Sequence, residues 1–348
     1  MPTISDVARA AGVSTATVSR VLNGNTEVDP AMAASVRSAV KALAYRPSRI
    51  ARSLRTRRSA VLALIISDIR NPFFTDMVRG VEDVAYANDY SLMLCNSDEN
   101  LVKELDYLQL AMAENMAGVI LAPASQSKTD ITDLVSHGMP VVTVDRRLKS
   151  TSVDAVLVDN AVGAEMAVNH LVQAGYRRIG YISGPTSIST GTERLAGYRA
   201  GVRNHRLPAA KGLIRHGDFH EESGKTAMQQ LLGLDERLDA VFVGNNLMTL
   251  GALEAISESG LTVPDDIAVV GFDDMAWAPL LRPSLTTVAQ PTYDLGAETA
   301  RMLLGRIKGY SGAARELMLE PTLRVRSSSA PRRPNSARPS GPKGLVQE

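Results

Sequence analysis

The sequence predicts an α/β protein built as a small all-α head and a two-lobed body of doubly wound parallel sheets. Three observations carry this. Apolar residues recur at helical spacing through the first 58 positions, short apolar runs alternate with helical stretches from residue 60 onward, and the charge divides at the same place. Residues 1–58 hold ten Lys/Arg against Asp6, Glu27 and Asp29, a net charge of +7; residues 59–330 hold 24 basic and 33 acidic side chains, a net −9. The near-neutral total of +1 hides this asymmetry. A compact basic head on an acidic body points to a polyanion partner for the head.

The head elements follow in order. Ile4, Val7, Ala8 and Ala11 form one helical face, and Gly12 ends that run. Ser14 stands where it caps a second helix whose inner face is Val18, Val21 and Leu22. A third helix spans about Pro30 to Ala44, with Met32, Val36, Ala39, Val40 and Leu43 inward. Pro47 to Leu54 allows a fourth, its proline in the first turn where the missing N–H is tolerated. Eight residues are too few to hold a helix without outside help. The expected division is a helix-turn-helix domain over 1–46 and a hinge with linker over 47–58.

In the body, strands are expected at 60–66, 91–95, 118–122, 140–144, 154–158, 178–182, 239–243 and 267–272. Helices are expected near 73–89, 101–115, 161–174, 191–205, 222–233, 246–259 and 292–308. These are too many strands for one small sheet. Two lobes follow, about 60–160 with 290–328, and 161–289, within an effector-binding and dimerisation domain of 59–330. The tail 331–348 has four prolines and no apolar period, and is expected to be disordered.

Composition narrows the class. A hydrophobic fraction of 45% excludes general disorder. The single cysteine, Cys95, excludes a disulfide framework and a CxxC metal site. No apolar run approaches the roughly 20 residues of a membrane span, and the N-terminus lacks a signal-peptide pattern. A cytoplasmic protein without membrane attachment, metal or cofactor is the expectation.

The segment ISDVARAAGVSTATVSRVLN has helix-turn-helix spacing: one helix, a tight turn at Gly12, Val13 plugging the core, and a second helix from Ser14. The exposed positions of the second helix, Thr15, Ala16, Ser19 and Arg20, are short or able to hydrogen-bond. Such a helix can sit deep in the major groove, where Arg20 reaches the O6/N7 edge of guanine and Ala16 offers only apolar contact.

TISDVARAAGVSTATVSRVLNG, followed by YRPSRIARSL, closely resembles the head of the lac repressor (LacI/GalR) family of bacterial regulators. The resemblance implies that Thr15, Ala16 and Arg20 read bases, and that Ser14, Thr17 and Asn23 contact phosphates. It also implies that Leu54 wedges between the two central base pairs of a palindrome, an apolar insertion that unstacks one step and bends the duplex. Ser48 departs from the asparagine more usual after the hinge proline. One such reader recognises only a half-site, so a homodimer on near-palindromic double-stranded DNA is expected. The tail lacks the heptads that join the lac repressor's dimers into tetramers.

The body resembles the periplasmic sugar-binding-protein fold that this family carries behind its DNA head. The resemblance rests on NPFF at 71–74, VDRR at 144–147, VDN at 158–160, ERLAGY at 193–198, GDF at 217–219, GNNLMTLGAL at 244–253, VVGFDD at 269–274 and LTTVAQP at 285–291. Most fall at strand C-termini, where open α/β sheets present loops to a crevice. By family position Phe73, Phe74, Asp145, Arg194, Phe219, Asn245 and Asp273 line the effector cleft, with Asp98 and Gln290 added. Aspartates would accept from hydroxyls, Arg194 and Asn245 would donate, and the phenylalanines would cover the C–H face of a ring. Asn246 stands where the family more often has aspartate.

Enzymatic readings fail on the residues. SGKT at 223–226 imitates the end of a phosphate loop, but the glycine required at 219 is Phe219. His216 and His220 flank Gly217–Asp218, a strand exit rather than a helical face. There is no GxSxG. A solute-binding transport protein would share the body but need a secretion signal and no basic head. The expectation is a repressor of a carbohydrate-utilisation operon, controlled by a sugar or sugar acid, with a purine-responsive regulator as the alternative.

Overall fold

The computed structural model describes residues 2–22, 28–45, 59–149, 152–208 and 212–331. They fall into two compact units, Met1–Ala60 and Val61–Glu348.

The head contains α1 (Ile4–Ala11), α2 (Thr15–Leu22) and α3 (Pro30–Ala42). Thr3 and Asp6 form a reciprocal cap on α1: Thr3 Oγ1 accepts from Asp6 N at 3.3 Å, and Asp6 Oδ2 accepts from Thr3 N at 2.9 Å. Gly12, at φ 65°, ψ 29°, ends the helix in the left-handed region that only glycine enters freely. Asp29 caps α3 through the amides of Ala31 and Met32. Val7, Ala8, Val18, Val21, Val36 and Ala39 form the head's buried core. Met32, expected inside, is 49% exposed. Ala33 packs on the core instead, because the inner stripe reaches back from Val36 by three residues and leaves the position four back on the rim.

The first lobe holds β1 (Val61–Ile66), α4 (Pro72–Ala87), β2 (Ser91–Asn96), α5 (Leu101–Ala113), β3 (Gly118–Leu121), α6 (Thr132–Ser136), β4 (Val141–Val144) and β5 (Asp154–Val158). The second holds α7 (Asn160–Gln173), β6 (Ile179–Ser183), α8 (Ser189–Asn204), β7 (Ile214–His216), α9 (Glu221–Leu232), β8 (Ala240–Val243), α10 (Asn246–Glu258), β9 (Ala268–Phe272) and β10 (Thr286–Ala289). The chain then returns to the first lobe with α11 (Thr292–Ile307) and β11 (Glu316–Leu319), and closes the second with β12 (Thr322–Arg324).

The sheet orders are β11-β5-β4-β3-β1-β2 and β12-β10-β9-β8-β6-β7. Each repeats one doubly wound pattern in which the connections reverse direction after the first strand, β1 or β6, and that reversal opens a crevice at the strand C-termini. Among the described residues pairing is parallel except for β10 with β12. Because β12 joins the second sheet, assigning 290–328 wholly to the first lobe is corrected: that lobe ends with β11, and the chain crosses between lobes a third time. The central strands are buried on both faces, as continuous runs such as VLALII require.

Candidate functional site

In the head, Ser14 Oγ accepts from Thr17 N at 3.1 Å and lies 2.9 Å from Thr17 Oγ1, so two hydroxyls gather at the N-terminus of α2. A helix N-terminus favours anions, and two hydroxyls there suit a phosphate. Thr15, Ala16 and Arg20 are exposed on the same helix. Gly12 N and Val13 N return to Arg9 O and Ala8 O, and Ser35 Oγ donates to Ala11 O at 3.1 Å. The turn that sets the angle of α2 is thus tied to both neighbouring helices. Asn23 and Leu54, with the hinge 47–58, lie outside the described residues.

In the body, Phe73, Phe74, Asp145, Arg194, Phe219, Asn245, Asp273 and Gln290 line one cavity between the lobes. Its volume is about 30 Å³, far below that of an open small-molecule pocket, because polar side chains cross it. Asn246 Nδ2 donates to Asn71 Oδ1 across the cleft at 2.7 Å, and Arg147 of the first lobe pairs with Glu193 of the second at 3.0 Å. These contacts hold the lobes close together.

Three cleft residues at strand exits are held in the left-handed backbone region: Asp145 (φ 66°), Phe219 (φ 72°) and Asp273 (φ 73°). For phenylalanine this is a strained conformation of the kind that clusters at functional sites. It places the Phe219 ring against Gly184, where any side chain would strike the ring: a Cβ there would lie 2.1 Å from Phe219 Cε1. Phe73 and Phe74 meet edge to face with centroids 5.1 Å apart.

Arg194 is buried, donating from Nε to Asn160 Oδ1 and from Nη1 to Gly244 O, both at 2.7 Å, with its plane 3.7 Å from the centre of the Phe272 ring. Asn245 caps α10 through Met248 N and donates to Phe219 O, so it fixes the loops as well as lining the cavity. Gln290 Nε2 donates to Asp273 Oδ1 at 2.5 Å. Burial raises the Asp145 carboxyl to a pKa of about 6, against the pull of Arg146 and Arg194. Burial likewise raises Asp273, opposed by Arg194 and Gln290.

Asp98 is not brought to the cavity. It too sits in the left-handed region (φ 51°), and its carboxylate turns outward to Lys103 Nζ and Asn96 Nδ2, both at 2.6 Å. Those bonds, with Lys103 foremost, lower its pKa. Its neighbour Glu99 enters the cavity in its place, paired through both oxygens with Arg146 at 2.7 Å. Sequence reasoning also missed Asp68, Asn71, Arg146, Thr190, His220 and Leu247, which complete the lining. Asn71 and Arg146 lay inside the quoted NPFF and VDRR stretches, whose position at strand exits was the available signal.

Two residues that line this cavity each carry a buried polar atom that makes no hydrogen bond: Gln290 Oε1, an acceptor, and Arg146 Nε, a donor. Arg146 Nε lies 3.4 Å from Asp145 Oδ2, an ion-pair distance without hydrogen-bond alignment. A hydroxyl group, donor and acceptor at once, can satisfy both kinds of orphan.

Residues 3–48 match the model for bacterial regulatory proteins of the lacI family, and residues 168–329 match a periplasmic binding protein-like domain. The chain is 37% identical over 332 residues to the HTH-type transcriptional repressor PurR of Edwardsiella ictaluri, covering 95% of this chain and 97% of that one. It is 37% identical over 308 residues to the ribose operon repressor of Halalkalibacterium halodurans, covering 88% and 91%. Among solved structures, the lac repressor dimer bound to operator and the anti-inducer ONPF superposes with a TM-score of 0.81 at 27% identity, covering 94% of this chain and 99% of that one. The CelR–cellobiose complex superposes with 0.73 at 34% identity, covering 94% and 100%. The chain, a helix-turn-helix head followed by a two-lobed body with a polar cleft, therefore belongs to the lacI family of bacterial transcriptional regulators.

Proposed function

We propose that this chain is a dimeric repressor whose affinity for a near-palindromic operator falls when a small uncharged sugar enters the cleft. Arg20, Thr15 and Ala16 read bases, while Ser14 and Thr17 bind phosphate. Since one α2 reads one half-site, two copies are needed for the palindrome. The observation that carries the effector class is the pair of buried atoms without a hydrogen bond, Arg146 Nε and Gln290 Oε1, on residues that line the cavity together with two buried aspartates and three phenylalanines. Hydroxyls satisfy the polar atoms and the C–H face of a ring covers the aromatics. Relatives that control a ribose operon or bind cellobiose support a sugar.

Cleft closure is the physical link. A sugar that prefers one lobe arrangement shifts the equilibrium by its differential affinity, and a coupling of about 1–3 kcal/mol changes operator affinity roughly 5–150-fold. The second reading, a purine effector, is favoured by Phe73, Phe74 and Phe219 as stacking faces and by the likeness to the purine repressors. Operator affinity measured with D-ribose and with hypoxanthine separates the two. The chain does no chemistry in this reading; its output is a change in DNA occupancy. Confinement to the cytoplasm, where its DNA lies, belongs to the same proposal.

A further inference from the structure

The cavity contains two guanidiniums, and they are not equivalent. Four carboxylates line it, Asp68, Glu99, Asp145 and Asp273, against Arg146 and Arg194. Arg194 keeps its Nη2 outside the hydrogen bonds made by Nε and Nη1. Arg146 is committed: both Nη atoms bind Glu99 at 2.7 Å, and Nη1 also donates to Pro123 O at 3.1 Å. Its side chain is 5% exposed and that of Glu99 22%.

The segment Asn96–Asn100 is shaped to make this pair. Asp98 and Glu99 both occupy the left-handed region (φ 51° and 56°), a conformation non-glycine residues keep only where the surroundings hold it. Asp98 is anchored outward by Lys103 and Asn96, and Glu99 N donates to Ser67 O at 3.2 Å. The twist sends one carboxylate to solvent and the next into the cleft. The far side of Arg146 is fixed as well. The loop carrying Pro123 is held by buried Glu104, which accepts from Ala124 N at 2.7 Å and Thr129 Oγ1 at 2.6 Å.

We propose that Glu99 is a specificity-determining residue: by cancelling the charge of Arg146 in a fork-to-fork pair, it makes the cleft accept uncharged sugars and reject sugar acids and sugar phosphates. This rests on the sugar reading above. With Glu99 in place and paired to Arg146, an anion entering the cavity meets Asp68, Asp145 and Asp273, with Arg194 as the other lining guanidinium. Without the Glu99 charge, Arg146 keeps only the Asp145 carboxylate, 3.4 Å from its Nε, and the cavity gains one unit of positive charge while Pro123 O still holds the guanidinium in place.

The test is calorimetric titration of the full chain, and of Glu99→Gln, with two matched pairs: D-ribose with D-ribonate, and D-glucose with D-glucuronate. The parent is expected to prefer the neutral member. In Glu99→Gln the affinity for the anion relative to its neutral partner rises on the order of tenfold to a hundredfold, the effect of removing one like charge a few ångströms away. Glu99→Asp, which keeps the charge, retains the parent's preference. The double variant Glu99→Gln/Arg146→Gln removes both charges and returns the ratio to the parent's, which also shows that the single variant's gain is not a folding artefact. A parent that binds a neutral sugar while the ratio stays unmoved in Glu99→Gln overturns this proposal alone. A parent that binds neither neutral sugar, but does bind hypoxanthine, overturns the sugar reading and this proposal with it.

Discussion

Replacing Asp145 by asparagine should stabilise the effector-free protein while weakening its hold on the sugar. Asp145 is 6% exposed, and burial raises its carboxyl to a pKa of about 6 from an ordinary 3.8. The folded protein therefore binds this proton more tightly than the unfolded chain does. Between these two values stability rises as pH falls, and above about pH 6 the ionised carboxyl is a net burden. A gap of about two units corresponds to roughly 3 kcal/mol, carried at neutral pH by the folded state. Asparagine is isosteric and tolerates the left-handed backbone at this position as well as aspartate does. The variant should gain up to roughly 3 kcal/mol at pH 7.5, or about 5–10 °C in Tm, and the gain should shrink toward zero near pH 4. Urea unfolding of parent and variant from pH 8 to 4.5 measures this, and taking the difference cancels the other titrations. Sugar affinity should fall at least about tenfold, since the hydroxyl loses a charged acceptor. A variant less stable than its parent at pH 7.5, or a difference that does not change with pH, would refute the reasoning.

Two further outcomes are expected. Arg20→Ala should cost about 1–3 kcal/mol of operator affinity and relax base preference at a single position of each half-site, measured by anisotropy titrations against single-base operator variants; an unaltered preference contradicts base reading by this side chain. Asn246→Ala removes the 2.7 Å bond that spans the cleft, while Asn71 Oδ1 keeps its bond from Phe73 N. The lobes should part more readily and sugar association should quicken in stopped-flow fluorescence. An unchanged association rate means that this contact does not limit entry.

The parts of the fold that were legible in sequence are those where burial forces a pattern. VLALII and AVVGF lie in the middle of parallel sheets, covered on both faces, and read as strands at sight. β7, β11 and β12 did not, because they are three or four residues long at sheet edges, with partly exposed side chains that resemble loops; β10 was missed as well, although buried inside its sheet, because TTVA is short and half threonine. Missing β12 also misplaced the last crossing between lobes. The site shows the same division. Asp145 and Asp273 follow strand ends and point into the crevice, as their position suggested. Asp98 follows a strand end too, yet two successive left-handed residues turn it outward and deliver Glu99 instead. Backbone handedness decided between neighbours, and no periodicity in the sequence encodes it. Gln290, by contrast, was placed from the LTTVAQP stretch and does reach the cavity.

The central claim couples cleft occupancy to DNA. It is tested most directly by the affinity of the full chain for a near-palindromic duplex selected from a random library, at one fixed salt concentration, with and without D-ribose. Salt is held constant because phosphate contacts make affinity fall steeply with ionic strength. The account predicts that ribose raises the operator Kd by roughly 5–150-fold and that hypoxanthine leaves it unchanged. An operator Kd that ribose does not move, or that it lowers, would contradict the account.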